Sequence, residues 1–183
     1  MKKLMILAVA FCLTTGAWGG ELAGVSMPDT SEVAGESLTL NGMGLRKKSI
    51  VKVYVAGLYL AAKTSDAEKI LSTDSARQTA MEFRFGVGAK KLCDGWNEGL
   101  ENNTVSASAD LKAKFGTLCG YMEDVDKGDS MVYTYVPGKG TEVSVKGAAK
   151  GVIEGKDFAD ALWGCWIGPE PPSAAFKTGL LGS

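Results

Sequence analysis

Arg46 and Tyr54 are the two residues whose types and spacing could do chemistry together. They lie eight positions apart. Leu38–Leu45 alternates apolar and polar residues, with Gly42 and Gly44 interrupting it. Ser49–Ala62 (SIVKVYVAGLYLAA) is rich in Val, Ile and Tyr. Both segments read as strands. A hairpin turning around Arg46–Ser49 brings Arg46 and Tyr54 to one face, and Leu38 and Leu40 fall on the same parity as Arg46. The guanidinium supplies a permanent charge and forked donors, and the phenol supplies a hydroxyl. Beneath a layer of helices, such a pair suits a carboxylate or enolate oxygen whose apolar tail runs into the core. Spacing alone favours a blander arrangement, with Arg46 an exposed turn residue beside Lys47 and Lys48 and Tyr54 ordinary core.

The rest of the composition narrows the chemistry. The chain of 183 residues contains no His. That excludes Ser-His-Asp and Cys-His nucleophiles, imidazole zinc sites and an axial His for haem. Phosphate-binding loops, dinucleotide fingerprints, nucleophile elbows and Cys/His clusters are absent from the sequence. Gly42-x-Gly44 does not open a helix. It suggests a bulge, or a place where something approaches the backbone. Asp124, Asp126 and Asp129 read as a solvated turn, since their setting does not match an EF-hand. No cofactor and no metal are expected. Twenty Lys and Arg balance 21 Asp and Glu, which gives no electrostatic reason to bind nucleic acid.

The N-terminus reads as an address. Met1-Lys2-Lys3 precedes an apolar run from Leu4 to Thr15, and Ala17-Trp18-Gly19 offers a small-residue cleavage site. This is the order of a signal peptide, with 1–19 removed and 20–183 forming one domain in the periplasm or outside the cell. The run is too short for a stable membrane anchor. Loss of Lys2 and Lys3 leaves a mildly acidic chain, weakly repelled by anionic lipid. Cys12 leaves with the leader, so Cys93, Cys119 and Cys165 remain for an oxidising compartment. Cys93 and Cys119 lie on two expected helices flanking one connection and are paired here. Cys165, between Trp163 and Trp166, reads as a buried free thiol, and the two tryptophans as core packing.

Further elements must position the pair. Residues 22–36 read as a loose segment with at most one short strand. Ser65 reads as the N-cap of a short helix, with Glu68 completing a capping box. Arg77–Phe85 alternates. Leu92, Trp96 and Leu100, then Leu111, Phe115, Leu118 and Met122, mark two amphipathic helices. Strands follow at Ser130–Val136, Thr141–Lys146 and Ala149–Glu154. An apolar helix at Lys156–Ile167 and a short one at Ala174–Leu181 close the chain. Strands joined by short turns pair antiparallel. The expected class is α+β, a large antiparallel sheet with helices packed on one face.

Leu40–Leu60 (LNGMGLRKKSIVKVYVAGLYL) and Phe158–Gly182 (FADALWGCWIGPEPPSAAFKTGLLG) resemble the chalcone isomerase family, in particular its bacterial chalcone-isomerase-like branch. The resemblance covers nearly the whole mature chain. It implies an open-faced β-sandwich with a ligand cleft between sheet and helices. It sets Arg46 on the family's arginine, which steadies a substrate oxygen in isomerases and a carboxylate in fatty-acid binders. Tyr54 falls where fatty-acid binders have tyrosine and plant isomerases threonine. The isomerase helix pattern Tyr-x-x-Lys-x-x-x-Asn falls on Gly88, Lys91 and Gly95, so only Lys91 survives. The resemblance thus implies a binder of a small apolar acid or lipid through Arg46, Tyr54 and Lys91, without catalysis. One alternative is an intramolecular lyase in which Arg46 stabilises an enolate, assisted by Tyr54 and Lys91. A second is a structural or partner-binding envelope protein with a closed cleft.

Overall fold

The computed structural model describes residues 18–183, the side chain of Trp18 excepted. The leader reading of residues 1–17 lies outside the described residues. A two-stranded hairpin, β1 (Trp18–Leu22) and β2 (Val25–Pro28), leads into a seven-stranded antiparallel sheet. Its strands run in chain order: β3 (Thr30–Val33), β4 (Glu36–Lys48), β5 (Val51–Leu60), β6 (Arg77–Phe83), β7 (Ser130–Val136), β8 (Gly140–Val145) and β9 (Ala148–Ile153). Helix α1 (Ala67–Ser72) links β5 to β6. Helices α2 (Ala89–Asn103) and α3 (Ala109–Gly120) link β6 to β7. Helices α4 (Lys156–Ile167) and α5 (Ala174–Leu180) end the chain. The α+β expectation holds. No helix among the described residues is long and apolar enough to cross a membrane.

Residues 22–36 correct the sequence reading, because they hold two short strands, β2 and β3, between the ends of β1 and β4 rather than a loose segment. Val25 and Met27 of β2 are buried and alternate with exposed Ser26 and Pro28. Four residues are too few for that alternation to register as a pattern. The hairpin covers the sheet face opposite the helices, where Val33, Leu38, Leu40, Val55 and Tyr59 form a second small core. This is why β5 is apolar on both parities.

On the other face, α4 is buried almost all round, from Phe158 to Ile167. It lies between the sheet and the outer helices. Burying a Leu or Phe side chain contributes roughly 1.5–3 kcal/mol, so this helix anchors the main core. Phe158 meets Phe115 of α3 edge to face at 5.3 Å, an arrangement aromatic rings prefer. Asp66, not Ser65, caps α1, its Oδ1 accepting from the Lys69 N–H at 3.0 Å. Gly88 precedes α2 without a side-chain cap, and Asp124 reaches over from its distant loop to accept the Ala89 N–H at 2.8 Å. Asp129 Oδ2 likewise accepts the Asp126 N–H at 2.8 Å, so the acidic turn is structural at Asp124 and Asp129. Cys93 and Cys119 are joined, tying α2 to α3, and Cys165 is free and buried.

The register between β4 and β5 decides where Arg46 points. Leu40 pairs with Tyr59, but Gly42 pairs with Leu58, which makes Asn41 an extra residue. Paired residues share a face, and one inserted residue reverses the alternation. Leu38 and Leu40 therefore face the β1–β2 hairpin, whereas Gly42, Gly44 and Arg46 face the helices. The shared parity read from the sequence is broken at Asn41. Its buried side chain fixes the bulge, donating from Nδ2 to the Leu180 carbonyl at 2.8 Å and accepting the Thr64 N–H at 2.8 Å. Gly42 and Gly44 let α5 lie directly on the strand. A Cβ on Gly44 would stand 2.7 Å from the Phe176 carbonyl oxygen.

Candidate functional site

Arg46 and Tyr54 pair directly across β4 and β5, and Tyr54 in turn pairs with Phe83 of β6. Past the bulge, all three face the helical layer. They line a cleft of about 590 Å³ between the sheet and α2, a size typical of small-molecule sites, roughly 300–1,000 Å³. Met81, Phe83, Leu92 and Trp96 supply apolar lining, α4 contributes Cys165 and Trp166, and the segment after α4 contributes Pro171 and Pro172. The blander alternative, an exposed turn arginine, is not what the fold adopts. Arg46 is half-buried and lies along the cleft.

Two backbone carbonyls hold the guanidinium. Nη1 donates to Pro172 at 2.8 Å and to Lys47 at 3.0 Å. Among the described residues, the Nη2–Nε edge of the fork meets no acceptor and no carboxylate forms an ion pair with Arg46. The Tyr54 ring is fixed edge to face by Phe83 at 5.6 Å and Phe176 at 5.8 Å. Burial pushes its phenol up to about 12, tempered by the neighbouring Trp166 indole and then by the Arg46 charge. The hydroxyl is a neutral donor at every physiological pH. No described residue accepts its proton, and the Trp166 indole N–H approaches its oxygen.

Trp166 is the residue that sequence reasoning left in the core. It does pack there, edge to face with Trp96 at 5.4 Å and Tyr133 at 5.6 Å. Its buried Nε1 nevertheless has no close acceptor among the described residues, and it stands beside the Tyr54 hydroxyl on the cleft. Leaving such a donor unpaired costs about 1–3 kcal/mol. The helical stripe Phe158–Leu162–Trp166 was the available signal, but it showed burial and not the direction of one N–H.

Lys91 also lines the cleft, from the exposed side of α2. One turn on, Gly95 borders the cleft with no side chain, while Gly88 caps the helix and is not part of the lining. Cys165 sits on the cleft floor, but burial pushes its thiol up to about 12, so it is inert as a nucleophile. Among the described residues, no group of His, Cys, Asp and Glu is arranged to hold a metal ion.

Unpartnered donors beside an apolar hollow can hold a ligand oxygen while a hydrocarbon body fills the remaining volume. No curated protein matches the sequence. Among solved structures, a fatty-acid binding protein of Arabidopsis thaliana has the same fold, with a TM-score of 0.69. It is 16% identical, and the match covers 87% of this chain and 92% of that one. At this identity the likeness is one of fold. The chalcone isomerase-like family model matches residues 19–182, and the chain belongs to that family.

Proposed function

We propose that the cleft binds a small apolar acid of the fatty-acid type and does not transform it. The observation that carries this reading is the gathering of three donors at one place: the outer edge of Arg46, the Tyr54 hydroxyl and the Trp166 indole N–H, which has no close acceptor among the described residues. A carboxylate has lone pairs enough for all three. The hydrocarbon chain lies along Met81, Phe83, Leu92 and Trp96. Lys91 adds charge near the opening. Gly88 and Gly95 occupy the positions where the isomerase pattern has polar side chains, which favours binding over turnover. The leader-like residues 1–19 and the Cys93–Cys119 bridge support export to an oxidising compartment, and N-terminal sequencing of the mature protein tests that.

The decisive measurement is titration of delipidated protein with cis-parinaric acid and a saturated fatty-acid competitor. Saturable binding that Arg46→Ala weakens at least about tenfold is expected, a charge-assisted hydrogen bond contributing about 1.5–3 kcal/mol. An absence of binding at every chain length rejects the proposal.

A further inference from the structure

The β4–β5 hairpin ends in a two-residue turn, Ser49-Ile50, closed by the Lys48–Val51 pair. Three features of this tip are unfavourable, the first two of them because it stands in water. Ile50 is 92% exposed. Lys47 and Lys52 stand directly opposite each other, and like charges in that position repel. Ser49 adopts φ 55°, a left-handed conformation that favours glycine. None of Lys47, Lys48 and Lys52 forms an ion pair with the described residues. From Ser37 to Ser65 the sequence holds no Asp or Glu, whereas Arg46, Lys47, Lys48, Lys52 and Lys63 lie within that stretch. The hairpin is thus a local cationic arm on a chain whose overall charge is near zero.

The arm stands at the mouth of the cleft. Lys48 and Val51 border the cleft from the tip. The Arg84 N–H donates to the Val53 carbonyl at 2.8 Å, which continues the β5–β6 pairing and brings Phe85 to the same end of the sheet. Phe85 is 55% exposed and also borders the cleft. Ile50, flanked by the unpaired Lys47, Lys48 and Lys52, and Phe85, beside the same opening, fit a surface that is anionic outside and hydrocarbon within.

We propose that this tip docks reversibly on an anionic lipid bilayer, seating Ile50 and Phe85 among the acyl chains and turning the cleft mouth to the membrane. The inference rests on the apolar-acid reading only for what passes through the mouth. Docking itself depends on the tip. An anionic surface relieves the Lys47–Lys52 repulsion, and a hydrocarbon layer covers Ile50. The charge attraction is local, so it outweighs the near-neutral charge of the whole chain within a Debye length of roughly 8 Å.

Flotation tests it, using protein purified after expression of the full chain, with its N-terminus determined. The probes are vesicles of phosphatidylglycerol mixed with phosphatidylcholine, and vesicles of phosphatidylcholine alone. The protein is expected to float with the anionic vesicles and not with the neutral ones, and to be released by high salt. Ile50→Asp, and separately the pair Lys47→Glu and Lys52→Glu, should each weaken partitioning at least about tenfold, since one lysine near such a surface contributes roughly fivefold. Ile50 does not line the cleft, so Ile50→Asp should take up cis-parinaric acid from water as the parent does, which also shows that the variant is folded. Flotation by Ile50→Asp equal to that of the parent overturns the proposal, as does a parent that floats with neither vesicle. Uptake that fails while flotation persists rejects the apolar-acid reading and leaves docking intact.

Discussion

Arg77 and Arg46 lie on one face of one sheet and are treated in opposite ways. Arg77 is fully buried, at 0% exposure. Its Nη1 donates to the Ile70 carbonyl at 2.8 Å, its Nη2 pairs with Asp160 at 2.6 Å, and Tyr135 and Trp163 each lie 5.0 Å from its centre. Lys156 of α4 shares the same carboxylate. Arg46 of β4 pairs with Tyr54, six residues along β5 from the partner of Arg77; it is half-buried, meets only carbonyl oxygens and borders a hollow. A charge taken from water is tolerated where a partner and a cage are already present. Where neither is provided but a cavity is, the charge is available to something else. Burial and partners distinguish these two cations, and residue type does not.

Predictions can break or sharpen that contrast. Arg77→Ala should lower stability the most, by about 3–5 kcal/mol, read as a shifted urea midpoint, with fatty-acid affinity per folded molecule retained. Comparable unfolding by Arg46→Ala would erase the distinction. Next in size is the tether of the cleft wall. Replacing Cys93 and Cys119 by Ser should remove about 3–4 kcal/mol, given a sequence separation of 26, with reduction of the parent giving the same loss.

Arg46→Ala should leave stability within about 1 kcal/mol, a limit set by its half-buried position, while affinity drops at least about tenfold. Tyr54→Phe keeps the ring and removes one hydrogen bond from a neutral donor to the ligand carboxylate, so affinity should drop about tenfold, and a double variant with Arg46→Ala should be less than additive. The smallest effect is that of pH. The Tyr54 phenol ionises near 10 when unfolded and at about 12 when folded. The unfolded chain releases that proton first, so this stabilisation is complete below about pH 10 and is lost as pH rises towards about 12. Ligand affinity should stay flat from about pH 6 to about pH 9, because the Tyr54 phenol stays protonated throughout that range. A break in that window would mean that another group holds the ligand.

The sequence revealed different parts of the molecule unequally. Strands β7 to β9 and helix α4 were legible because long alternation and a continuous apolar stripe survive averaging over a window. The Cys93–Cys119 bridge was legible because two helices and an odd thiol left few choices. Three features were hidden. The hairpin β1–β2 is shorter than the window that would detect it. Arg77 looks like any charged residue at the head of a strand, and only the return of α4 with Asp160 turns it into a buried pair. Arg46 was singled out, but through a parity it does not share with Leu38 and Leu40. The reason it faces the helices is Asn41, and no local composition distinguishes a bulged asparagine from one in step.

That single extra residue has a genetic consequence. Loss of the Asn41 codon would leave the hairpin's turn, its lysines and every cleft residue in the open reading frame, yet rotate the guanidinium to the wrong side of the sheet. Conversely, one compensating codon inserted between there and Arg46 would restore it. A three-nucleotide slip therefore removes the guanidinium from the cleft or returns it, and a census of substitutions alone would miss the event.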